Sequence, residues 1–181
     1  MPDKAGTRES SAAGGRTRQP MICERWMTVQ VESVTPLDSV AHARALLEER
    51  HVNQLPVVRN GVLVGIVTDR DLREAPQRLA AAEGWDAPGK SPPKEPDQIP
   101  VEAVMTSTPI TLAPHSTLLN AAVVLRRERI GSVPIVDGDR LVGIVTRSDI
   151  LDAFIARENC RRERGGRRGS TPQETAKTEK H

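Results

Sequence analysis

Apolar and polar positions run along this chain in two nearly superposable passes. In the later pass, Ile110-Thr111-Leu112 is a short β-prone run that ends at Ala113-Pro114. Leu118, Ala121, Ala122 and Leu125 then recur at i, i+3, i+4 and i+7, which predicts a helix with one apolar stripe. Ser116 or Thr117 is placed to cap its start, and Arg126, Arg127 and Arg129 fall where cations suit the end of the helix dipole. Gly131 is read as the helix stop. Val133-Pro134-Ile135-Val136 predicts a strand, Asp137-Gly138 a tight hairpin turn, and Leu141 to Val145 the return strand. A second helix is expected from Thr146 to Ala156, with Ile150, Phe154 and Ile155 available to a core.

The earlier pass repeats each step. Asp38 or Ser39 caps a helix with Val40, Ala43 and Leu47 on one face, Leu55 to Val58 is a strand, Asn60-Gly61 the turn, and Leu63 to Val67 the return strand. The two passes are offset by 78 positions without a gap, and 15 residues between Met27 and Ala75 are identical at that register. They include Met27-Thr28 on Met105-Thr106 and Gly65-Ile66-Val67-Thr68 with Asp71 on Gly143-Ile144-Val145-Thr146 with Asp149. The predicted class is α+β, two strand-helix-strand-strand-helix units, each with a small three-stranded sheet. A unit of about fifty residues is too small to bury a good core alone. Two packed together can do so, and such a pair has a cleft on each side of its pseudo-twofold axis.

Composition sets the boundaries. Residues 1–20 and 158–181 are polar and poor in large apolar side chains, and both read as disordered tails. Residues 21–78 form the first unit and 101–157 the second. Between them, residues 79–100 carry Pro88, Pro92, Pro93, Pro96 and Pro100, which suits a linker with some helix near Leu79 to Glu83 and with Trp85 packed back on the domain. The net charge of +2 conceals an acidic folded part, at −3 over residues 21–157, and tails at +5. The folded part is therefore a poor nucleic-acid surface. The Arg161–Arg168 cluster reads as a solvated tail, with a nucleic-acid or acidic-lipid contact as its alternative.

Cys23 and Cys160 lie at opposite ends of the repeat, and His42, His51, His115 and His181 show no metal-ligand spacing. No nucleophile elbow, phosphate-binding loop, dinucleotide fingerprint or metal cluster occurs, so a non-enzymatic role without a metal or cofactor is expected. No apolar run is long enough for a membrane span or a signal peptide, and a cytoplasmic location is the expectation.

The candidate chemistry lies in Thr68-x-x-Asp71 and Thr146-x-x-Asp149, each just beyond a strand at a helix start. A carboxylate there can accept hydrogen bonds from both hydroxyls of a ribose. The threonine hydroxyl and the exposed N–H groups of the helix start suit a phosphate, and Gly65 and Gly143 permit a close backbone approach. The same spacing is also a capping box, which satisfies the backbone without any ligand.

The order Met-Thr, short strand, Pro, helix, apolar-Pro-apolar-apolar, hairpin, Gly-apolar-apolar-Thr-x-x-Asp, helix resembles the CBS domain. Two copies in tandem resemble a CBS pair, or Bateman module, over about Glu24 to Arg157. The Glu24-Arg25-Trp26-Met27 start is similar to small stand-alone bacterial proteins of the acetoin-utilisation type. The resemblance implies a regulatory module whose clefts bind an adenine-containing small molecule: AMP, ADP, ATP or S-adenosylmethionine. It implies ligand contacts from Thr35, Val52, Asn53, Pro56, Thr68 and Asp71 in the first copy, and from Ile130, Gly131, Pro134, Thr146 and Asp149 in the second. It also implies a homodimer through helical faces that include Leu72, Leu79, Ile150, Phe154 and Ile155, with output through an unidentified protein partner. A structural protein with empty clefts is the rival reading. Two departures bear on the ligand. Glu32 stands where the second copy has Ile110, so either an unpaired carboxylate makes the two clefts unequal or Glu32 points to solvent from an edge strand. The residues before each apolar-Pro step (Val52-Asn53-Gln54 and Ile130-Gly131-Ser132) are not basic, which favours a nucleoside or monophosphate over a polyphosphate. Arg70 and Arg147 remain within reach of a phosphate.

Overall fold

The two hydrophobic passes fold into two α/β hairpin units. The computed structural model describes residues 20–82 and 95–166. In chain order the elements are α1 (Val40–Arg50), β1 (Gln54–Arg59), β2 (Val62–Thr68), α2 (Asp69–Ala82), α3 (Leu118–Arg127), β3 (Ser132–Asp137), β4 (Arg140–Thr146) and α4 (Arg147–Gly166). Single 3-10 turns at Cys23–Arg25 and Val101–Ala103 precede the two units. Ser39 and Thr117 cap α1 and α3, their side chains accepting from the N–H of His42 and Asn120.

β1 and β2 pair antiparallel, as do β3 and β4, each pair with a register shift at the matching place, Val57/Val58 and Ile135/Val136. The hairpins then join edge to edge through Val62 and Arg140, giving one four-stranded sheet in the order β1-β2-β4-β3. This corrects the expected three-stranded sheet per unit. Val34 and Leu112 each make one parallel bridge, to Val57 and Ile135. The prolines at 36 and 114 follow too soon for either run to extend.

The leading segments are exchanged between the units. Cys23 donates its N–H to the carbonyl of Ser116, Leu118 to that of Met21, and Thr28 and Ile144 exchange both backbone bonds. Cys23, with Met21, Trp26 and Met27, thus belongs to the core of the second unit, beside Leu118, Ala121, Ile135 and Val145. Reciprocally, Ile99, Val101 and Val104 are buried with Val40, Leu47, Leu55, Val67 and Leu72 in the core of the first. Val40 donates to the Ile99 carbonyl, and Ile66 and Thr106 mirror the Thr28–Ile144 pair. Each unit completes its core with the other unit's leader, so neither half is a separate folding unit.

This exchange explains the repeated glycine. A Cβ on Gly143 would lie 2.5 Å from the sulfur of Met27 and 3.1 Å from the Thr28 carbonyl oxygen, and one on Gly65 2.6 Å from the sulfur of Met105 and 3.0 Å from the Thr106 oxygen. Met-Thr and Gly-Ile-Val-Thr recur together because each copy of one packs against the opposite copy of the other.

Other boundaries differ from the sequence expectation. The last stretch of the 79–100 linker belongs to the first core through Ile99, and α4 continues past residue 158 to Gly166. Trp85 and the prolines at 88, 92 and 93 lie outside the described residues, as does the chain from 167 onward. α3 ends before Gly131: Glu128 is its C-cap, and the left-handed residue is Arg129 (φ 57°), matched by His51 (φ 52°) after α1. Gly131 instead faces Gln54 of the other unit, whose Oε1 would be 3.2 Å from a Cβ there. Phe154 and Ile155 are exposed rather than core, at 59% and 54%, and Ala153 takes the buried place in α4. Leu72, expected on a helical contact face, is fully buried.

Candidate functional site

Because Thr28 pairs with Ile144, the segment Thr28–Glu32 of the first repeat crosses over the C-terminal end of β4. A cleft of about 660 Å³ opens there. One wall is Arg50 to Gln54, the end of α1 and the entry to β1; the other is Thr146, Arg147 and Ser148, where β4 turns into α4. Gln30, Val31, Glu32, Gly131 and Ile144 complete it. Both repeats are required to build it.

The predicted residues divide by location. Val52, Asn53, Gly131 and Thr146 are gathered in this cleft. Asp149 stands one helical turn beyond, its Oδ2 accepting from the N–H and hydroxyl of Thr146 at 2.6 and 2.7 Å. Thr68 and Asp71 form the same arrangement in the first repeat, with distances of 3.1 and 2.6 Å. Both Thr-x-x-Asp motifs are therefore formed capping boxes. Each cap uses a single carboxylate oxygen. Oδ1 of Asp149 has no protein partner among the described residues, and Oδ1 of Asp71 meets Arg78 at 3.4 Å. Capping and ribose recognition are thus compatible at Asp149, since the cap orients the carboxylate and leaves its second oxygen unused. Thr68, Asp71 and Ile130 hold the positions related by the repeat to Thr146, Asp149 and Val52, and they do not line this cleft. Pro56 and Pro134 are buried within β1 and β3 and do not line the cleft. Thr35 is exposed in the turn before α1, its N–H held by Asp38 at 2.6 Å, also away from the cleft.

The charged groups correct the sequence reading in one respect. Glu32 does line the cleft, but it is not unpaired: its Oε1 lies 3.4 Å from Nε of Arg50, another lining residue. Arg50 and His51 carry no sequence mark of the cleft because they precede the Val52-Asn53-Gln54 step, and only the left-handed turn at His51 folds the helix end back beside that step. Arg147 is less available than expected, since it donates to the Ile130 carbonyl at 3.0 Å. Arg70 is paired with Glu74 at 2.8 Å.

Arg147 has a second environment. With Ala122, Leu125, Arg126, Arg129, Ile150 and Leu151 it borders an apolar groove of about 460 Å³ between α3 and α4. Phe154, Ile155 and Leu151 continue the exposed apolar surface of α4. Farther along, Arg161 of the expected basic cluster is paired with Glu158.

Cys23 and Cys160 are free thiols, one buried and one exposed; burial pushes the Cys23 thiol up. Among the described residues no cluster of His, Cys, Asp or Glu is arranged to hold a metal, and no helix is long and apolar enough to cross a membrane.

Comparison with known proteins converges on one family. The CBS domain model matches twice, at residues 23–78 and 101–156. The CBS domain-containing protein YhcV of Bacillus subtilis is 34% identical over 134 residues, covering 74% of this chain and 86% of its own. Among solved structures, a candidate acetoin utilization protein (AcuB) from Vibrio cholerae aligns with TM-score 0.66 at 26% identity, over 85% of this chain and 100% of its own. Arabidopsis thaliana CBSX2 in complex with AMP aligns with TM-score 0.63 at 28% identity, over 76% and 98%. The CBS domain pair of protein MJ0100, in complex with 5-methylthioadenosine and S-adenosyl-L-methionine, aligns with TM-score 0.58 at 26% identity, over 74% and 99%. With matched motifs over more than half its length and a pair of units built one into the other, this chain belongs to the CBS-domain family as a tandem CBS pair.

Proposed function

We propose that this chain is a ligand-responsive regulatory module whose cleft takes up an adenine nucleotide or related adenosyl molecule. The observation that carries the reading is the cleft itself, built from both repeats and sized within the range of small-molecule sites. Val31, Val52 and Ile144 offer apolar surface to a base, the unused oxygen of Asp149 suits a ribose hydroxyl, and the first turn of α4 presents the positive end of a helix dipole. The adenosyl ligands bound by CBSX2 and MJ0100, both similar in fold to this chain, support the same class here.

A pair of units that complete each other's cores translates cleft occupancy into a change in how the units sit on each other. In this proposal the output is binding of a protein partner or of a second copy, through the exposed apolar side of α4, in the cytoplasm and without catalysis. Mass spectrometry of small molecules released from the purified native protein tests the ligand class. An adenine-containing compound at near-stoichiometric yield is expected. If nothing is released, thermal shift against AMP, ATP and S-adenosylmethionine decides, because a ligand at a hundred times its Kd adds about 2.7 kcal/mol. Absence of any shift at millimolar concentration leaves a structural protein with empty clefts.

A further inference from the structure

The cleft holds a charge pair that the pseudo-symmetric side of the molecule cannot make. Arg50 and Glu32 both line it, 3.4 Å apart, with side chains 49% and 45% exposed. Their counterparts 78 positions on are Glu128 and Ile110, and Glu128 is taken by Arg127 at 2.6 Å. A guanidinium facing a small-molecule cleft is the side chain best suited to grip a phosphate, since its fork matches two phosphate oxygens. Here the guanidinium already has a carboxylate beside it, Oε1 of Glu32 at 3.4 Å from its Nε.

We infer that Arg50 reads the anionic group of the cleft's ligand and that Glu32 competes with that group for it, so the pair sets how much charge a ligand must bring. This inference rests on the adenosyl reading of the cleft and names the part of the ligand that reading leaves open. A half-exposed ion pair is weak and easily exchanged. A phosphate monoester offers Arg50 more charge and a bidentate geometry, and it displaces Glu32 toward water, which the exposure of Glu32 permits. A neutral nucleoside offers Arg50 nothing and leaves the pair closed. The cleft's other arginine does not substitute, since Arg147 is tethered to the Ile130 carbonyl, and Glu49 is a further acidic competitor at 3.7 Å from Arg50. The displaced Glu32 also repels each added phosphate, which makes a monophosphate the best match and a triphosphate a poorer one.

Titration calorimetry with adenosine and AMP on the full chain tests this in four proteins: wild type, Glu32→Gln, Arg50→Met and the double variant. Adenosine should bind all four alike. AMP should bind Glu32→Gln about 3–10-fold more tightly than wild type, and Arg50→Met no better than adenosine does. In the Arg50→Met background, Glu32→Gln should have no further effect on AMP. Arg50→Lys, which keeps the charge without the fork, should fall between wild type and Arg50→Met. If both compounds bind but AMP is indifferent to Glu32→Gln and Arg50→Met, the inference is overturned while the adenosyl reading stands. Equal losses for adenosine and AMP in Arg50→Met mark a packing role and also overturn it. If neither compound binds any of the proteins, inference and reading fail together.

Discussion

Replacing Gly143 with Ala adds one methyl group at the place where the two units are built into each other. That Cβ would lie 2.5 Å from Sδ and 2.8 Å from Cγ of Met27, and 3.1 Å from the carbonyl oxygen of Thr28. Ordinary carbon contacts are near 3.5–4.0 Å, so the methionine must yield by about 1 Å. Its thioether has free torsions and can do so at the expense of its place among Cys23, Leu118 and Val145. The Thr28 oxygen is less free, because it accepts from the N–H of Ile144, the next residue along β4. Overpacking of this kind costs about 1–3 kcal/mol. Removing a glycine from a strand returns about 0.5–1 kcal/mol. The net expected loss is about 0–2.5 kcal/mol, centred near 1 kcal/mol, measured as a fall in the urea midpoint at unchanged slope. Met27→Ala in the Gly143→Ala background removes the clashing atoms, so the double variant should be less destabilised than the sum of the single changes by about 1 kcal/mol. A stabilising Gly143→Ala, or strict additivity of the pair, would refute the exchanged-leader packing.

Three further outcomes are expected. Asp149→Ala should lose about 1 kcal/mol of stability with its cap, whereas Asp149→Asn, which keeps an acceptor for Thr146, should hold most of that stability and still weaken adenosyl binding; equal affinities in both variants and wild type would leave the carboxylate as a cap alone. Cys160 should react with a thiol reagent at neutral pH while Cys23 reacts only on unfolding, since its thiol is buried and its pKa raised; equal rates for the two in the native protein would contradict the burial of the leader segment. Phe154→Asp should shift sedimentation toward the monomer if the exposed side of α4 joins two copies, and a wild type that is strictly monomeric at high micromolar concentration removes that interface.

What could be read from the sequence followed from local physics. Period-3.6 stripes marked α1 and α3, Asn60-Gly61 marked the first hairpin turn, Asp137-Gly138 marked the second one residue early (Asp137 ends β3 and the turn is Gly138-Asp139), and the Thr-x-x-Asp spacing marked the boxes that start α2 and α4. The exchange of leaders was not legible, because Cys23 and Val101 carry no local sign of which unit they complete; the pairing is decided by tertiary contacts alone. Pro56 and Pro134, which the resemblance implies as ligand contacts, are buried in β1 and β3, since an apolar-Pro step reads the same whether it faces a cleft or the interior. Glu32 and Arg50 stand 18 positions apart with a helix between them, so their pairing in the cleft is visible only once Thr28 is seated on Ile144.

The most direct test of the cleft is a crystal structure of the full chain grown with AMP. The adenine is expected between Val52 and Ile144, a ribose hydroxyl within hydrogen-bond reach of Asp149 Oδ1, and the phosphate on Arg50 with Glu32 turned outward. AMP bound elsewhere, or a cleft without it at millimolar nucleotide, would contradict the assignment.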